Sequence, residues 1–173
     1  MEKIEKLEEF VEIFKKEISI SETIILTAHR DPDGDAIGSV LAMQEALQNI
    51  GKDVDIVLDE MPKVFLELKN SDKILKVDEF EKLNKKYDLA IFLDNNGKKS
   101  FLVPDIILER AKKSINIDHH IGGNIFTDIM YVEEESPAVC ETVYKILKKL
   151  EYEITYDIIK AIIIGVITDT GRI

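Results

Sequence analysis

Residues 23–39 read Thr-Ile-Ile-Leu-Thr-Ala-His-Arg-Asp-Pro-Asp-Gly-Asp-Ala-Ile-Gly-Ser, and this segment is the most informative about the fold class. Residues 23–28 form a short β-branched run, which predicts a buried strand. The polar residues 29–35 follow, and after them comes a helix with apolar side chains between Ile37 and Leu47. A strand, a polar loop and a helix in this order are the unit from which α/β proteins are built.

The same alternation continues along the chain. Further strands are predicted at 54–58, 89–93, 114–117 and 129–132. Helices are predicted over 2–17, 62–69, 78–86, 104–113, 137–150 and 156–168. Gly51 suits the end of the helix that follows the first strand, and Ser136 and Pro137 suit the N-cap and first position of helix 137–150. We therefore expect an α/β fold with a doubly wound, mainly parallel sheet of about five strands flanked by helices.

Composition excludes several classes of protein. A chain of 173 residues with 45% hydrophobic residues can form one domain with a core. The net charge of −11 argues against long duplex nucleic acid as a partner, because such partners need a basic surface. The single cysteine, Cys140, excludes an intrachain disulfide and a multi-thiolate zinc site, fits a cytoplasmic location, and is expected in the core. Residues 1–17 lack the apolar run of a signal peptide, and the most apolar segment, 158–167, is too short to span a bilayer, so no membrane partner is expected.

All three histidines lie beside aspartates, in residues 29–35 and 118–120. Asp94 and Asp169 stand at the ends of further predicted elements. Imidazole and carboxylate together are the ligand set of borderline divalent metals such as Mn, Fe, Co and Zn. Because 29–35, Asp94 and 118–120 each follow a predicted strand, we expect them to meet at the carboxyl edge of the sheet.

The first cluster has the spacing of a metal-binding turn. Asp33 and Asp35 are one residue apart, so both carboxylates can face a common centre, and His29 is within reach if the loop curls back. Pro32 and Gly34 suit such a turn, because proline fixes one φ and glycine frees another. A surface turn is the alternative for this segment taken alone.

The helix after this turn suggests a phosphate contact. Gly38 and Ser39 are expected in its first turn, where unpaired N–H groups attract anions. We therefore predict that Gly38 and Ser39 contact a substrate phosphate.

The remaining candidates have ordinary alternatives when each is taken alone. His119 and His120 could be a satisfied surface pair, and Asp94 and Asp169 could be turn or cap residues. Several aspartates brought together without cations would, however, repel one another and be costly to desolvate. Two divalent ions would remove that cost and supply two-metal hydrolytic chemistry.

These motifs together resemble a known family over the whole chain. The sequences at 29–39, Leu-Asp at 93–94, Asp-His-His at 118–120 and Gly-Val-Ile-Thr-Asp-Thr-Gly at 165–171 are similar, in this order, to motifs I to IV of the DHH phosphoesterases, a RecJ-like superfamily. Within it, the first motif most resembles the nano-RNase/pAp-phosphatase branch. The resemblance implies two divalent metal ions, with Mn²⁺ as the usual metal. It implies His29 and Asp33 as ligands of one ion and Asp94 as a bridge, and the ligands that it implies for the second ion are Asp35, His119 and Asp169.

The resemblance also implies catalytic roles for the rest of the Asp-His-His motif. His120 would contact the substrate phosphate and stabilise or protonate the departing oxygen. Asp118 would orient the histidine pair, which is the usual way to fix an imidazole tautomer.

The implied activity is metal-dependent hydrolysis of phosphoester bonds in short oligoribonucleotides or 3′-phosphoadenosine 5′-phosphate. One alternative is a cyclic- or linear-dinucleotide phosphodiesterase, and another is a non-catalytic metal- and nucleotide-binding domain. The partner expected in each case is a nucleotide or short oligonucleotide, and a homodimer stays open.

The resemblance carries one expectation about domain organisation. Family members continue into a second, substrate-gripping domain with a Gly-Gly-Gly-His motif, whereas residues 1–173 end directly after motif IV. We therefore expect residues 1–173 to be the N-terminal catalytic domain, truncated before the substrate-binding domain, and weakly active in isolation.

Overall fold

The computed structural model describes residues 1–95, 104–120 and 125–169, with the backbone alone for Pro104 and Asp169. Six strands form one parallel sheet: β1 (Glu2–Ile4), β2 (Thr23–Thr27), β3 (Asp53–Ile56), β4 (Tyr87–Leu93), β5 (Ala111–Asp118) and β6 (Ile129–Val132). The described helices are α1 (Leu7–Ser19), α2 (Gly34–Asn49), α3 (Val77–Leu83), α4 (Pro104–Arg110), α5 (Val139–Lys149) and α6 (Tyr156–Asp169).

The strand order across the sheet is β1-β6-β5-β4-β2-β3. The chain leaves β2 toward β3 on one side and returns to β4 on the other, so the direction of winding reverses between β2 and β4. In open α/β sheets a crevice forms at this point, outside the carboxyl ends of the strands. The prediction of a doubly wound, parallel α/β sheet is confirmed.

Successive side chains of a strand point to opposite faces of the sheet. Both faces are therefore apolar here, and helices cover each of them. On one face, Ile24 and Leu26 of β2 pack with apolar residues of α1, α2, α5 and α6. On the other face, Ile25 packs with Phe80 of α3 and Ile107 of α4. Cys140 is fully buried in the first core, as its apolar neighbours predict.

The first seventeen residues differ from their prediction as one helix. Residues Glu2–Ile4 form an edge strand that pairs with β6, and the helix runs over Leu7–Ser19. The helical spacing was real, because Phe10, Phe14 and Ile18 are buried on one face of α1. Three residues are too few to show a strand period, so β1 could be found only through its pairing partner.

Three further boundaries are corrected. The helix predicted at 104–113 ends at Arg110, because Ala111 and the lysines after it pair with β4 and begin β5. The stretch 62–69 holds a short 3₁₀ turn at Lys63–Phe65 in place of a longer helix. Helix 137–150 begins only at Val139.

The end of α2 agrees with its prediction. Gly51 has φ +90°, and its amide donates to the Gln48 carbonyl while the Lys52 amide donates to that of Leu47. These two bonds close the helix in the way that a glycine just after the last turn allows.

Among the described residues, no helix has the length and apolar character that crossing a membrane requires.

Candidate metal centre

Polar side chains gather at the carboxyl ends of three neighbouring strands. His29 lies two residues after β2, Asp94 directly follows β4, and Asp118 is the last residue of β5. Because β2, β4 and β5 are adjacent in the sheet, the three positions converge on the crevice between β2 and β4.

Asp94 occupies the middle of this cluster and is only 2% exposed. Its Oδ2 lies 3.2 Å from Nε2 of His29, and its Oδ1 lies 3.5 Å from Nε2 of His119. Oδ1 is also 3.8 Å from Nδ1 of His120. Asp94 has a left-handed backbone, with φ 59°, and its amide donates to the Ile117 carbonyl at 3.1 Å. One carboxylate thus presents its two oxygens to different histidines.

The loop after β2 curls back as the spacing predicts. Nε2 of His29 is 3.5 Å from Oδ1 of Asp33, and the same oxygen accepts the Ala36 amide at 2.9 Å and caps α2. The left-handed residue of the turn is Asp31, with φ 53°. Gly34 was expected to supply that conformation and instead begins α2.

Asp35 is fully buried and closes the start of α5. Its Oδ2 accepts the Val139 amide and its Oδ1 the Cys140 amide, each at 2.9 Å. This carboxylate satisfies the first N–H groups of α5 and so takes the capping role predicted for Ser136. Oδ2 of Asp35 also lies 3.6 Å from Nε2 of His119.

The adjacent histidines face different partners. Nδ1 of His119 donates to the Ser136 carbonyl at 3.1 Å, which directs Nε2 toward Asp35 and Asp94. Nδ1 of His120 lies 2.7 Å from Oδ1 of the fully buried Asp118. The His120 side chain is 41% exposed, the largest fraction in the Asp-His-His motif, so its ring reaches the solvent side of the cluster.

The carboxylates hold protons on the imidazoles when no cation is bound. Hydrogen bonds to Asp33 and then to Asp94 raise the pKa of His29 to about 11. Burial opposes a charge on His119, but the neighbouring Asp94 carboxylate and the Ser136 carbonyl outweigh it and raise its pKa to about 9. Burial also opposes charge on Asp94, yet His119 and His29 together lower its pKa to about 2.

The pKa values of His120 and Asp118 are also raised. The hydrogen bond to Asp118 raises the pKa of His120, while burial raises the pKa of Asp118 itself. The Asp118 carboxylate beside the ring thus favours the protonated form of His120.

These groups fit a divalent cation. Ligand atoms about 2.1 Å from one ion lie roughly 3.0–3.4 Å apart at octahedral or tetrahedral angles, and the separations around Asp94 are close to this range. Among the described residues, buried Oδ1 of Asp94 and Oδ2 of Asp118 accept no hydrogen bond. Two groups of possible ligand atoms, each within 4.8 Å of one another, share Asp94: His29, Asp33 and Asp94, and Asp94, Asp118, His119 and His120.

Gly38 and Ser39 lie elsewhere than predicted. Both are in the second turn of α2 and buried, and the Ser39 hydroxyl donates to the Ala36 carbonyl at 3.0 Å. A Cβ on Gly38 would stand 2.3 Å from the Ala161 carbonyl oxygen of α6. Their small size therefore serves close packing of α2 on α6, and the prediction that they lie in the first turn of the helix was wrong.

Two further residues near the site are Asp169, a predicted ligand, and Asp59, which the sequence analysis did not name. Asp169 is the last residue of α6, and its side chain, a predicted ligand, lies outside the described residues. Sequence reasoning missed Asp59, whose carboxylate accepts the Asp31 amide at 3.2 and 3.3 Å. No motif marks Asp59, since it is one of 34 acidic residues and stands apart from the histidines.

Comparison with known proteins gives a consistent family. The model of the DHH family, N-terminal domain, matches residues 23–166. The bifunctional oligoribonuclease and PAP phosphatase NrnA of Thermus thermophilus is 31% identical over 168 residues, which are 97% of this chain and 48% of that protein. The cyclic-di-AMP phosphodiesterase GdpP of Geobacillus thermodenitrificans is 23% identical, with 88% of this chain and 25% of that protein covered.

Solved structures share the fold. An exopolyphosphatase-related protein from Bacteroides fragilis superimposes with a TM-score of 0.90 at 27% identity, over 95% of this chain and 51% of that one. RecJ of Thermus thermophilus, crystallised with Mn²⁺, matches with a TM-score of 0.55 at 14% identity, over 93% of this chain and 24% of that one. The chain spans about half the length of NrnA and of the Bacteroides protein.

Proposed function

Because this chain belongs to the DHH family, we propose that it is the catalytic domain of a metal-dependent phosphoesterase. The proposed substrates are short oligoribonucleotides or 3′-phosphoadenosine 5′-phosphate, in line with the activities for which NrnA is named. The observation that carries the proposal is the position of Asp94, whose two oxygens face His29 on one side and His119 on the other.

The proposed cofactor is a pair of divalent ions around this carboxylate, with Mn²⁺ as the proposed metal. His29 and Asp33 would hold one ion, Asp35, His119 and Asp169 the other, and Asp94 both. When bound, such ions activate water and neutralise phosphoryl oxygens. That neutralisation is needed here, since a polyanionic substrate approaches a chain of net charge −11.

The protein's own groups would orient the substrate and manage the proton. His120 is the exposed member of the Asp-His-His motif, and its Nδ1 is held by Asp118 at 2.7 Å. This leaves Nε2–H to donate to a phosphoryl oxygen or to the departing oxygen. Asp118 raises the pKa of His120 and so favours the protonated ring that carries this N–H.

A second candidate activity is a cyclic- or linear-dinucleotide phosphodiesterase. The similarity to GdpP, named as a cyclic-di-AMP phosphodiesterase, favours it. Both activities break a phosphoester bond and use the same site, so they differ only in the nucleotide that is accepted.

A substrate panel tests the proposal. The full-length protein is incubated with Mn²⁺ or with EDTA and a linear dinucleotide, 3′-phosphoadenosine 5′-phosphate, a cyclic dinucleotide or bis-(p-nitrophenyl) phosphate. We expect Mn²⁺-dependent hydrolysis, fastest with the linear dinucleotide or 3′-phosphoadenosine 5′-phosphate. Preference for the cyclic dinucleotide would favour the second activity. Stabilisation by Mn²⁺ with no cleavage of any compound would instead indicate a non-catalytic binding domain.

A further inference from the structure

We propose that Asp59 is a positioning residue that holds the loop between β2 and α2 in its ligand-presenting shape. The inference rests on the proposed function only in taking His29 and Asp33 as metal ligands. Asp59 is outside both groups of possible ligand atoms found among the described residues. Its contact is with the backbone of the loop, at Asp31.

The loop bends at Asp31, whose backbone conformation is unfavourable. Asp31 has φ 53°, in the left-handed region that is disfavoured for a residue with a Cβ. This bend lies midway between His29 and Asp33, whose side chains meet with Nε2 and Oδ1 3.5 Å apart. The separation of these two groups therefore depends on the conformation of Asp31.

Asp59 supplies the partner for that bend. Its two carboxylate oxygens lie 3.2 and 3.3 Å from the Asp31 amide nitrogen, so the N–H is shared between them. A charged acceptor makes a stronger hydrogen bond than a neutral one. The bond joins residues 28 apart in the sequence and fixes the middle of a loop that has no regular secondary structure.

The residues directly before Asp59 are buried and hydrogen-bonded to neighbouring segments. Val57 and Leu58, directly before it, are 1% and 3% exposed. The Val57 amide donates to the Leu26 carbonyl, and the Leu58 amide donates to that of Leu75. The Val57 carbonyl in turn accepts the buried Thr27 hydroxyl at 2.8 Å. Asp59 thus stands at the end of a strand extension that is bonded on both sides, while its partner lies in an irregular loop.

The negative charge of Asp59 is unfavourable at this position unless a hydrogen bond offsets it. It adds a carboxylate close to a loop that already contributes Asp31 and Asp33 to an acidic chain. Unpaired like charges at such a place are unfavourable. The hydrogen bond from the Asp31 amide to Asp59 offsets this repulsion. A serine or glycine at residue 59 would carry no charge and would meet no such repulsion.

Metal titration of variants tests the proposal. Mn²⁺ binding by the full-length protein is measured by isothermal titration calorimetry and EPR for wild type, Asp59→Ala and Asp59→Asn. His29→Ala identifies which of the two affinities belongs to the His29–Asp33 side. We expect Asp59→Ala to weaken that affinity about 10- to 100-fold, the usual effect of removing a group that orients a ligand, and to leave the other within about twofold. Asp59→Asn should restore part of the loss, because its amide oxygen still accepts the Asp31 N–H.

Two control variants match the change. Glu60→Gln removes a charge from the exposed residue next to Asp59. Asp88→Asn alters a carboxylate that accepts the Glu22 and Thr23 amides at the amino ends of β2 and β4, away from the site. Both should bind Mn²⁺ like wild type. An Asp59→Ala protein with both affinities unchanged would overturn the proposal, and so would equal weakening of both affinities, which would indicate a general loss of structure.

A metal-free measurement separates this proposal from the proposed function. In EDTA, NMR spectra of Asp59→Ala should show shifted resonances for the Asp31 amide and the His29 ring, while Asp88→Asn leaves them in place. Unchanged resonances would overturn the positioning role whatever the protein binds. A wild-type protein that binds no Mn²⁺ would instead overturn the proposed function, with the shifts still expected.

Discussion

The Asp35 carboxylate and the Cys140 amide are 105 residues apart in sequence and form a buried hydrogen bond of 2.9 Å. The second oxygen of Asp35 accepts the Val139 amide at the same distance. The same side chain lies 3.6 Å from Nε2 of His119. One carboxylate therefore closes the first turn of α5 and faces the candidate metal centre.

The substitution Asp35→Asn should destabilise the metal-free protein. An amide has one acceptor oxygen for two N–H donors, and its NH₂ group would face the other donor. Leaving a buried amide unsatisfied costs about 1–3 kcal/mol in the free energy of unfolding. Urea unfolding in EDTA measures this cost. Asp33→Asn is the control, since the Ala36 amide can still bond to the new side-chain oxygen and the loss should be smaller. Equal stability of Asp35→Asn and wild type would show that α5 does not depend on this cap.

The substitution Asp94→Asn should abolish the binding of both metal ions together. Asparagine tolerates the left-handed backbone of Asp94, so the change removes charge with little added strain. Both oxygens of Asp94 face histidines, and in the proposed bridging role its loss would affect both ions. Mn²⁺ stoichiometry by EPR is the measurement. Retention of one ion at wild-type affinity would contradict the bridging role.

The sequence predicted the position of metal-ligand types of residue where they follow a strand. His29, Asp94 and His119 each follow an apolar run, so their meeting at one edge of a parallel sheet followed from topology alone. It failed where a bond joins distant segments. The cap on α5 comes from Asp35, which no local pattern near Ser136 could reveal. Gly38 resembled a phosphate-binding glycine, but its environment depends on the approach of α6.

Metal binding should release protons and strengthen as the pH rises. In the metal-free protein the pKa values of His29 and His119 are raised from 6.5 to about 11 and about 9, so both rings are protonated at neutral pH. A cation must displace these protons before it can use the nitrogen atoms. Calorimetry in buffers of different ionisation enthalpy should show proton uptake by the buffer, with Mn²⁺ affinity increasing from about pH 6 to about pH 9.

The stability of the metal-free protein should change with pH in the opposite sense. A histidine whose folded pKa lies above its unfolded value near 6.5 contributes stability fully below that value. The contribution is lost as the pH rises through about 9 for His119 and about 11 for His29. Urea unfolding in EDTA should therefore show a free energy of unfolding that declines from about pH 6.5 upward, and His119→Gln should reduce the part of this decline that lies below about pH 9. A Mn²⁺ affinity independent of pH, or no such decline, would contradict proton storage by these rings.

The substitution His120→Gln should separate metal binding from turnover. His120 is the most exposed member of the Asp-His-His motif, and its Nδ1 is held by Asp118 at 2.7 Å. General acid catalysis contributes about 10²- to 10⁴-fold to rate, so kcat on a dinucleotide should fall by a factor in that range. Mn²⁺ affinity should stay near that of wild type. A variant that loses metal and activity together would make His120 a ligand instead.

Alanine at Gly38 should destabilise the protein far more than alanine at Gly51. A Cβ on Gly38 would meet the Ala161 carbonyl oxygen at 2.3 Å, and this atom belongs to the backbone of α6 and cannot rotate away. Separating α2 from α6 should cost about 3 kcal/mol or more, the upper range for overpacked cores. Gly51 has open space around it and φ +90°, so alanine there should cost only about 1–2 kcal/mol from backbone strain. Because Asp33 and Asp35 begin the helix that Gly38 packs against α6, the Gly38→Ala protein should also bind Mn²⁺ more weakly, as calorimetry can measure. A Gly38→Ala protein with wild-type stability would show that α2 and α6 are farther apart in solution than this packing requires.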